Sequence, residues 1–281
     1  MDSTTKIVGI PTIHLFPVLD KMLIDLLRSL NASEWNYPTV ARLWSVKDIA
    51  AHLLDGNLRN LSASRDAHLI TPDHPISSYT ELVDYINGIN GTWVAVAKRL
   101  SPQLLIELLE SSGKAYTDHL SKLDPFEPAI YPVAWAGQTS SPNWFHIARE
   151  YTEKFIHQQQ IREAVGKQAL FTKELFYPYL QTSMFAVPPS LQTIPKLVGT
   201  TARFTVSSNC GGTWNFIHTP KGWVPSDEQI QDPTAHVIVP ASLVWKLFSK
   251  ATKPDEVRSD ITFKGDITLC NQLLRTIAVM A

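Results

Sequence analysis

Glu153 and His157 stand four residues apart in Glu153-Lys-Phe-Ile-His157, a spacing that stacks two side chains on one face of an α-helix. About a hundred residues earlier, Trp44-Ser-Val-Lys-Asp-Ile-Ala-Ala-His52-Leu sets His52 on the inward stripe of another amphipathic segment. If the two helices pack side by side, they offer two imidazole nitrogens and one carboxylate oxygen to a divalent ion. Zinc, nickel, manganese and iron all suit that donor set. Three protein ligands with the remaining positions open mark a catalytic site rather than a structural one. Two neutral histidines and one glutamate leave such an ion with a residual charge of about +1, enough to acidify a bound water or thiol and to polarise a carbonyl. Spacing alone also admits plainer readings: a solvated Glu–His pair, and His52 as a hydrogen-bonded core residue. Of the other histidines, His146 lies seven before Glu153 and looks toward the same seam, which makes it a candidate supporting group.

The elements that must position these residues are helical through the first 166 residues. Helical spacing predicts a helix over 16–30. Ser45 as N-cap, with Asp48 three residues on, predicts the start of a second, which runs through His52 toward Ala67. A third pattern covers 78–100, with Gly88 and Gly91 in its middle. Ser101-Pro102 opens a fourth to about Leu109, with a resumption toward Leu123. Residues 124–141 form an irregular Pro- and aromatic-rich connection that could cover one end of the helices. The last helix of this half, 143–165, ends at Gly166. Beyond it, 170–184 reads as a further helix or a linker interrupted by Pro178, and Val187-Pro-Pro-Ser as a breaker. Strands are expected at 202–207, 213–218, 235–239 and 260–265, with helices at 240–248 and 266–279 and a turn at Gly211-Gly212. The expected fold is thus an up-and-down four-helix bundle over 1–168, followed by a smaller α+β domain over 169–281.

Bulk properties narrow the function classes. The 281 residues are 44% hydrophobic and 18% charged, with 25 basic against 26 acidic side chains. That balance lacks the basic excess that grips phosphate backbones, so nucleic acid is not an expected partner. No apolar run approaches the ~20 residues of a membrane span. The first sixteen residues, with an acid at position 2 and Pro11, do not resemble a signal peptide. Cys210 and Cys270 form neither a disulfide framework nor a zinc motif, so a reducing cytoplasm is the expected compartment. Trp44, Trp93, Trp135 and Trp144 are expected in the core or lining a pocket.

The stretch Leu43-Trp-Ser-Val-Lys-Asp-Ile-Ala-Ala-His52-Leu53, taken with Glu153-x-x-x-His157, resembles the DinB-like superfamily of helical metalloproteins, and within it the mycothiol-dependent maleylpyruvate isomerase family. Phe263-Lys-Gly-Asp266-x-x-Leu269 resembles the closing strand-turn-helix of that family's sterol-carrier-like second domain. The resemblance implies His52, Glu153 and His157 as ligands of a divalent metal, zinc foremost, and a low-molecular-weight thiol as cofactor or acceptor. It implies thiol-dependent isomerisation or S-transfer on a small-molecule substrate by a monomer or homodimer. Many members carry an acid three residues beyond the last ligand, where this chain has Gln160. A neutral amide can orient a neighbour by hydrogen bonding but cannot fix a charged partner. Two rival readings use the same chain differently: a metal-hydroxide hydrolase at the same site, or a non-catalytic small-molecule or lipid carrier.

Overall fold

The computed structural model describes residues 9–279, so half of the N-terminal stretch weighed above as a leader lies outside the described residues. Helix α1 (Phe16–Arg28) begins the helical half, and Ser45 caps α2 (Val46–Asn60), which runs on as a π turn through Arg65. The capping box is present: Ser45 Oγ accepts from the Asp48 amide, and the Asp48 carboxylate accepts from the Ser45 amide at 3.0 Å. Helix α3 (Tyr79–Ala97) continues through Gly88 and Gly91. Likewise α4 (Pro102–Leu120) is one unbroken helix, where the sequence suggested a stop near Leu109. Its Ser112 and Gly113 are buried against α1 and α2, and that packing outweighs the weak helix propensity of Ser-Ser-Gly. Helix α5 (Asn143–Ala164) is the longest. It packs against both α1 and α2, and α4 also contacts both; α3 leans on α2 from outside.

Two elements correct the sequence reading of the next segment. Pro178 sits inside an intact helix, α6 (Lys173–Ser183), and Val187-Pro-Pro begins a short helix, α7 (Val187–Leu191). Prolines in a first turn have no amide to lose, so the pair starts this helix rather than breaking it.

The rest is a five-stranded mixed sheet, ordered β3-β2-β1-β4-β5, from β1 (Thr201–Ser207), β2 (Gly212–Thr219), β3 (Gly222–Ser226), β4 (Ala235–Pro240) and β5 (Thr262–Gly265). Strand β3 has no counterpart in the sequence reading; it carries Pro225, which an edge strand tolerates. β1 and β4 pair in parallel, with the β2–β3 hairpin between them in the chain. Helices α8 (Ala241–Phe248) and α9 (Ile267–Leu274) complete this half, α9 ending five residues earlier than expected. The architecture is therefore a helical N-terminal part followed by an α+β C-terminal part, as expected. One apolar core runs from Phe16 and Tyr151 through Phe176 and Val187 to Phe204 and Trp245, so the two parts share an interior. Lys246–Glu163 at 2.5 Å adds an ion pair across that boundary. No helix among the described residues is long and apolar enough to cross a membrane.

Candidate metal centre

The capped start of α2 fixes which face each later residue presents. Ile49, Ala50, Leu53 and Leu54 are buried, and His52 lies between them, half-buried against α5. Its ring meets Trp44 at 4.7 Å and the edge of His157 at 4.6 Å. On α5 the four-residue spacing does what helical geometry demands, with Glu153 Oε2 lying 3.3 Å from His157 Nε2. Among the described residues, one donor atom from each of His52, Glu153 and His157 falls within 4.8 Å of the others. Atoms bound tetrahedrally at 2.0–2.1 Å from a common ion stand roughly 3.3 Å apart, so the Glu153–His157 edge already has the right length.

Protonation states suit ligation. Burial, then the neighbouring His157 and Arg59, push the His52 pKa well below its usual value, which keeps the imidazole neutral with a free lone pair. His52 Nδ1 is buried and has no hydrogen-bond partner. At His157, the Nδ1–H donates to Gln160 Oε1 over 2.8 Å, leaving the Nε2 lone pair facing Glu153. Gln160 is itself 4% exposed, so the bond is shielded from water. The amide at this position therefore performs the orienting role that the sequence left open.

The flanking glutamines serve other elements. Gln158 donates to the Leu19 carbonyl of α1, and Gln159 accepts from the Leu170 amide in the connection after α5. Two of the three consecutive glutamines thus tie the triad's helix to its neighbours, while Gln160 orients His157 within the helix itself. Nearby, Lys154 Nζ donates to Asp20 at 2.7 Å and to Asn57 at 3.1 Å, tying α5 to α1 and α2.

His146 lies on the same side of α5 but is not part of the triad; it is buried and accepts from Arg149 at 2.9 Å. Arg149 and Glu150, paired at 2.5 Å, were missed in the sequence. Arg149 is four before Glu153 and eight before His157, so helical spacing could have found it. Trp44 flanks the site, whereas Trp93 bonds the Ala51 carbonyl of α2 and Trp144 stacks on Phe145 in the shared core. Residues 124–141 place Trp135 against Phe145 and pack their short Ala134–Ala136 turn on α7. Cys210 and Cys270 are buried free thiols. A surface groove of about 530 Å³ between α1 and α4 is walled by charged residues such as Lys21, Asp25 and Glu110 and includes none of the triad.

Residues 18–162 match a family model described as the mycothiol maleylpyruvate isomerase N-terminal domain. Two solved structures share the overall fold: the mycothiol-dependent maleylpyruvate isomerase and a histidine-to-alanine mutant of it. Each is 13% identical to this chain, with a TM-score of 0.54 over 91% of this chain and 92% of the other. Among curated protein sequences, none matches.

Proposed function

Because the chain belongs to the mycothiol maleylpyruvate isomerase N-terminal domain family, we propose that it is a thiol-dependent isomerase or S-transferase working at a divalent metal held by His52, Glu153 and His157. The observation that carries this reading is the convergence of one donor atom from each of three side chains to within 4.8 Å of one another. His52 is held neutral with an orphaned buried nitrogen, and His157 has its tautomer fixed by Gln160. The third donor, Glu153, lies beside the free His157 nitrogen. An N,N,O set fits zinc best among abundant ions, with nickel, manganese or iron as alternatives.

A divalent ion held by His52, Glu153 and His157 would lower the pKa of a low-molecular-weight thiol and so would supply a thiolate at neutral pH. The protein's own contribution is orientation. Trp44 walls the site beside His52 and keeps that flank apolar, while the α5 glutamines hold Glu153 and His157 in register. In this reading residues 1–168 act as a DinB-like up-and-down four-helix bundle of α1, α2, α4 and α5. Residues 169–281, read as a sterol-carrier-like domain, narrow access and supply substrate contacts. The maleylpyruvate named for the relative makes an electrophilic unsaturated acid the first substrate to try.

The test is turnover of the metal-loaded protein with a thiol panel and unsaturated acids, alongside ester and amide substrates. Thiol-dependent isomerisation or adduct formation supports the reading. Hydrolysis without thiol would replace it with a hydrolase, and apolar-ligand binding with no turnover would replace it with a carrier.

A further inference from the structure

A buried lysine lies between two triad residues on α5. Lys154 is 8% exposed, and its Nζ donates to Asp20 Oδ1 of α1 at 2.7 Å and to Asn57 Oδ1 of α2 at 3.1 Å. Asn57 Nδ2 in turn donates to Ser112 Oγ of α4 at 3.1 Å, and Ser112 Oγ donates to the Leu109 carbonyl. The rings of Phe16 and Tyr116 lie 5.8 and 5.9 Å from Nζ, so the charge sits in largely apolar surroundings. A Cβ at Gly113 would stand 2.8 Å from Asp20 Oδ2, so the glycine lets α4 close on the pair. One network therefore joins α1, α2, α4 and α5.

Stability alone is a weak reason to keep such a group. Buried ion pairs are often replaced by apolar side chains without loss of stability, whereas their directional bonds favour one arrangement of the elements that carry them. Here those elements carry the triad. Lys154 follows Glu153 and precedes His157 by three, and Asn57 lies five residues beyond His52, about 7.5 Å along the axis of α2. Rotation of α5 by ~10° would carry a side-chain tip ~6 Å from its axis through about 1 Å. Metal–ligand distances tolerate only about 0.2 Å. Asn60 Nδ2 to Glu150, at 3.3 Å, is a longer tie between α2 and α5.

We infer that Lys154, Asp20 and Asn57 are positioning residues that lock the rotation of α5 against α2, and so bring Glu153 and His157 into register with His52. They act through the triad and are not ligands themselves. The consequence for metal rests on the function proposed above; the consequence for the two histidine rings does not.

Two variants of the full-length protein test the lock. Asp20→Leu/Asn57→Leu/Lys154→Met makes the network apolar and leaves Ser112 Oγ its bond to the Leu109 carbonyl. Asn57→Leu keeps the ion pair and removes the tie to α2. The readouts are zinc affinity against a competing chelator and, in metal-free protein, the NMR cross-peak between the His52 and His157 rings, whose centroids are 4.6 Å apart. Wild type should show the cross-peak. The triple variant should keep its helical circular dichroism and a denaturant midpoint near wild type, yet bind zinc about tenfold or more weakly and lose most of the cross-peak. Asn57→Leu should move both readouts the same way by less. An unchanged cross-peak with zinc affinity within twofold of wild type in both variants overturns the lock. So does a loss that appears, in both variants, only together with unfolding, since the network would then merely stabilise the fold. If wild type takes up no zinc while the cross-peak still responds, the lock stands and the metal reading alone fails.

Discussion

Helix α5 and the sheet that follows it bury opposite kinds of side chain. Glu150, Thr152, Lys154 and Gln158 to Gln160 are all buried along α5 beside Tyr151, Phe155 and Ile156. In β1 and β4 the buried positions alternate as Ala202, Phe204, Val206 and Ala235, Val237, Val239, covered by Trp245, Phe248 and Leu273. A polar group is costly to bury unless every bond it can make is made, so a polar interior is retained where something besides stability needs it. The sheet half secures the fold by apolar burial, whereas the helical half gives part of its interior to polar side chains around the candidate site. The difference predicts that variants in the two regions will separate metal binding from stability.

The largest separation is expected at the triad. His52→Ala or His157→Ala should reduce metal from one per chain to near zero by elemental analysis, with helical circular dichroism largely kept. Stoichiometric metal in either variant would dissolve the proposed ligand set. The converse comes from Trp245, 1% exposed in α8. Trp245→Ala should cost about 3–5 kcal/mol in denaturant unfolding through transfer and cavity terms, while one metal per chain remains. Loss of metal in that variant would mean the two regions are not separable.

An acid-sensitive slope should belong to the helical half. Burial, then Arg149, lower the His146 pKa to about 4. The unfolded chain, with a histidine near 6.5, takes up a proton that the native ring refuses. Stability from this group is therefore complete above about pH 6.5 and is lost as pH falls toward 4, by roughly 3 kcal/mol in all. His52, also lowered by burial, steepens the same window in metal-free protein. Urea midpoints from pH 7.5 to 5 should fall, and His146→Phe should flatten the slope. An unchanged slope would mean the ring is not shielded.

Next in size is Gln160. Gln160→Leu keeps the volume but removes the acceptor for His157 Nδ1–H, so metal affinity measured against a competing chelator should drop about 10–100-fold. An affinity within twofold of wild type would show that His157 is oriented by packing alone.

These contrasts also show what the sequence could and could not reveal. His52, Glu153 and His157 were legible because a helix converts a four-residue spacing into adjacency, and because the Ser45–Asp48 box announces where α2 begins. The partnering of α2 with α5 was not legible in spacing, since it depends on contacts between residues about a hundred apart. Gln160 was visible as a departure from an acid, but the uses of Gln158 and Gln159 lie on α1 and the 165–172 connection, which no local pattern encodes. Arg149 was missed because an arginine on a helix usually reads as solvated, and only the buried Glu150 beside it turns it inward. In the sheet, β3 was lost to Pro225. The parallel β1–β4 pairing left no mark, because alternation specifies a strand's two faces but not its neighbour.

The smallest effect probes whether the helix cap reaches the site. Ser45 begins α2 seven residues before His52, its hydroxyl accepting from the Asp48 amide. Ser45→Ala removes that acceptor, and cap losses of this kind cost about 1 kcal/mol. The lost bond lies two turns from His52, and Val46, Ile49 and Ala50 between them are anchored in the core, so the helix should fray at its first turn without rotating. The expected result is a drop of about 1 kcal/mol in denaturant unfolding, with metal stoichiometry unchanged and affinity within a few-fold of wild type. A tenfold or greater loss of affinity would mean that the cap, rather than the buried face of α2, sets the rotation of His52, and that the helical half cannot trade stability without trading its site.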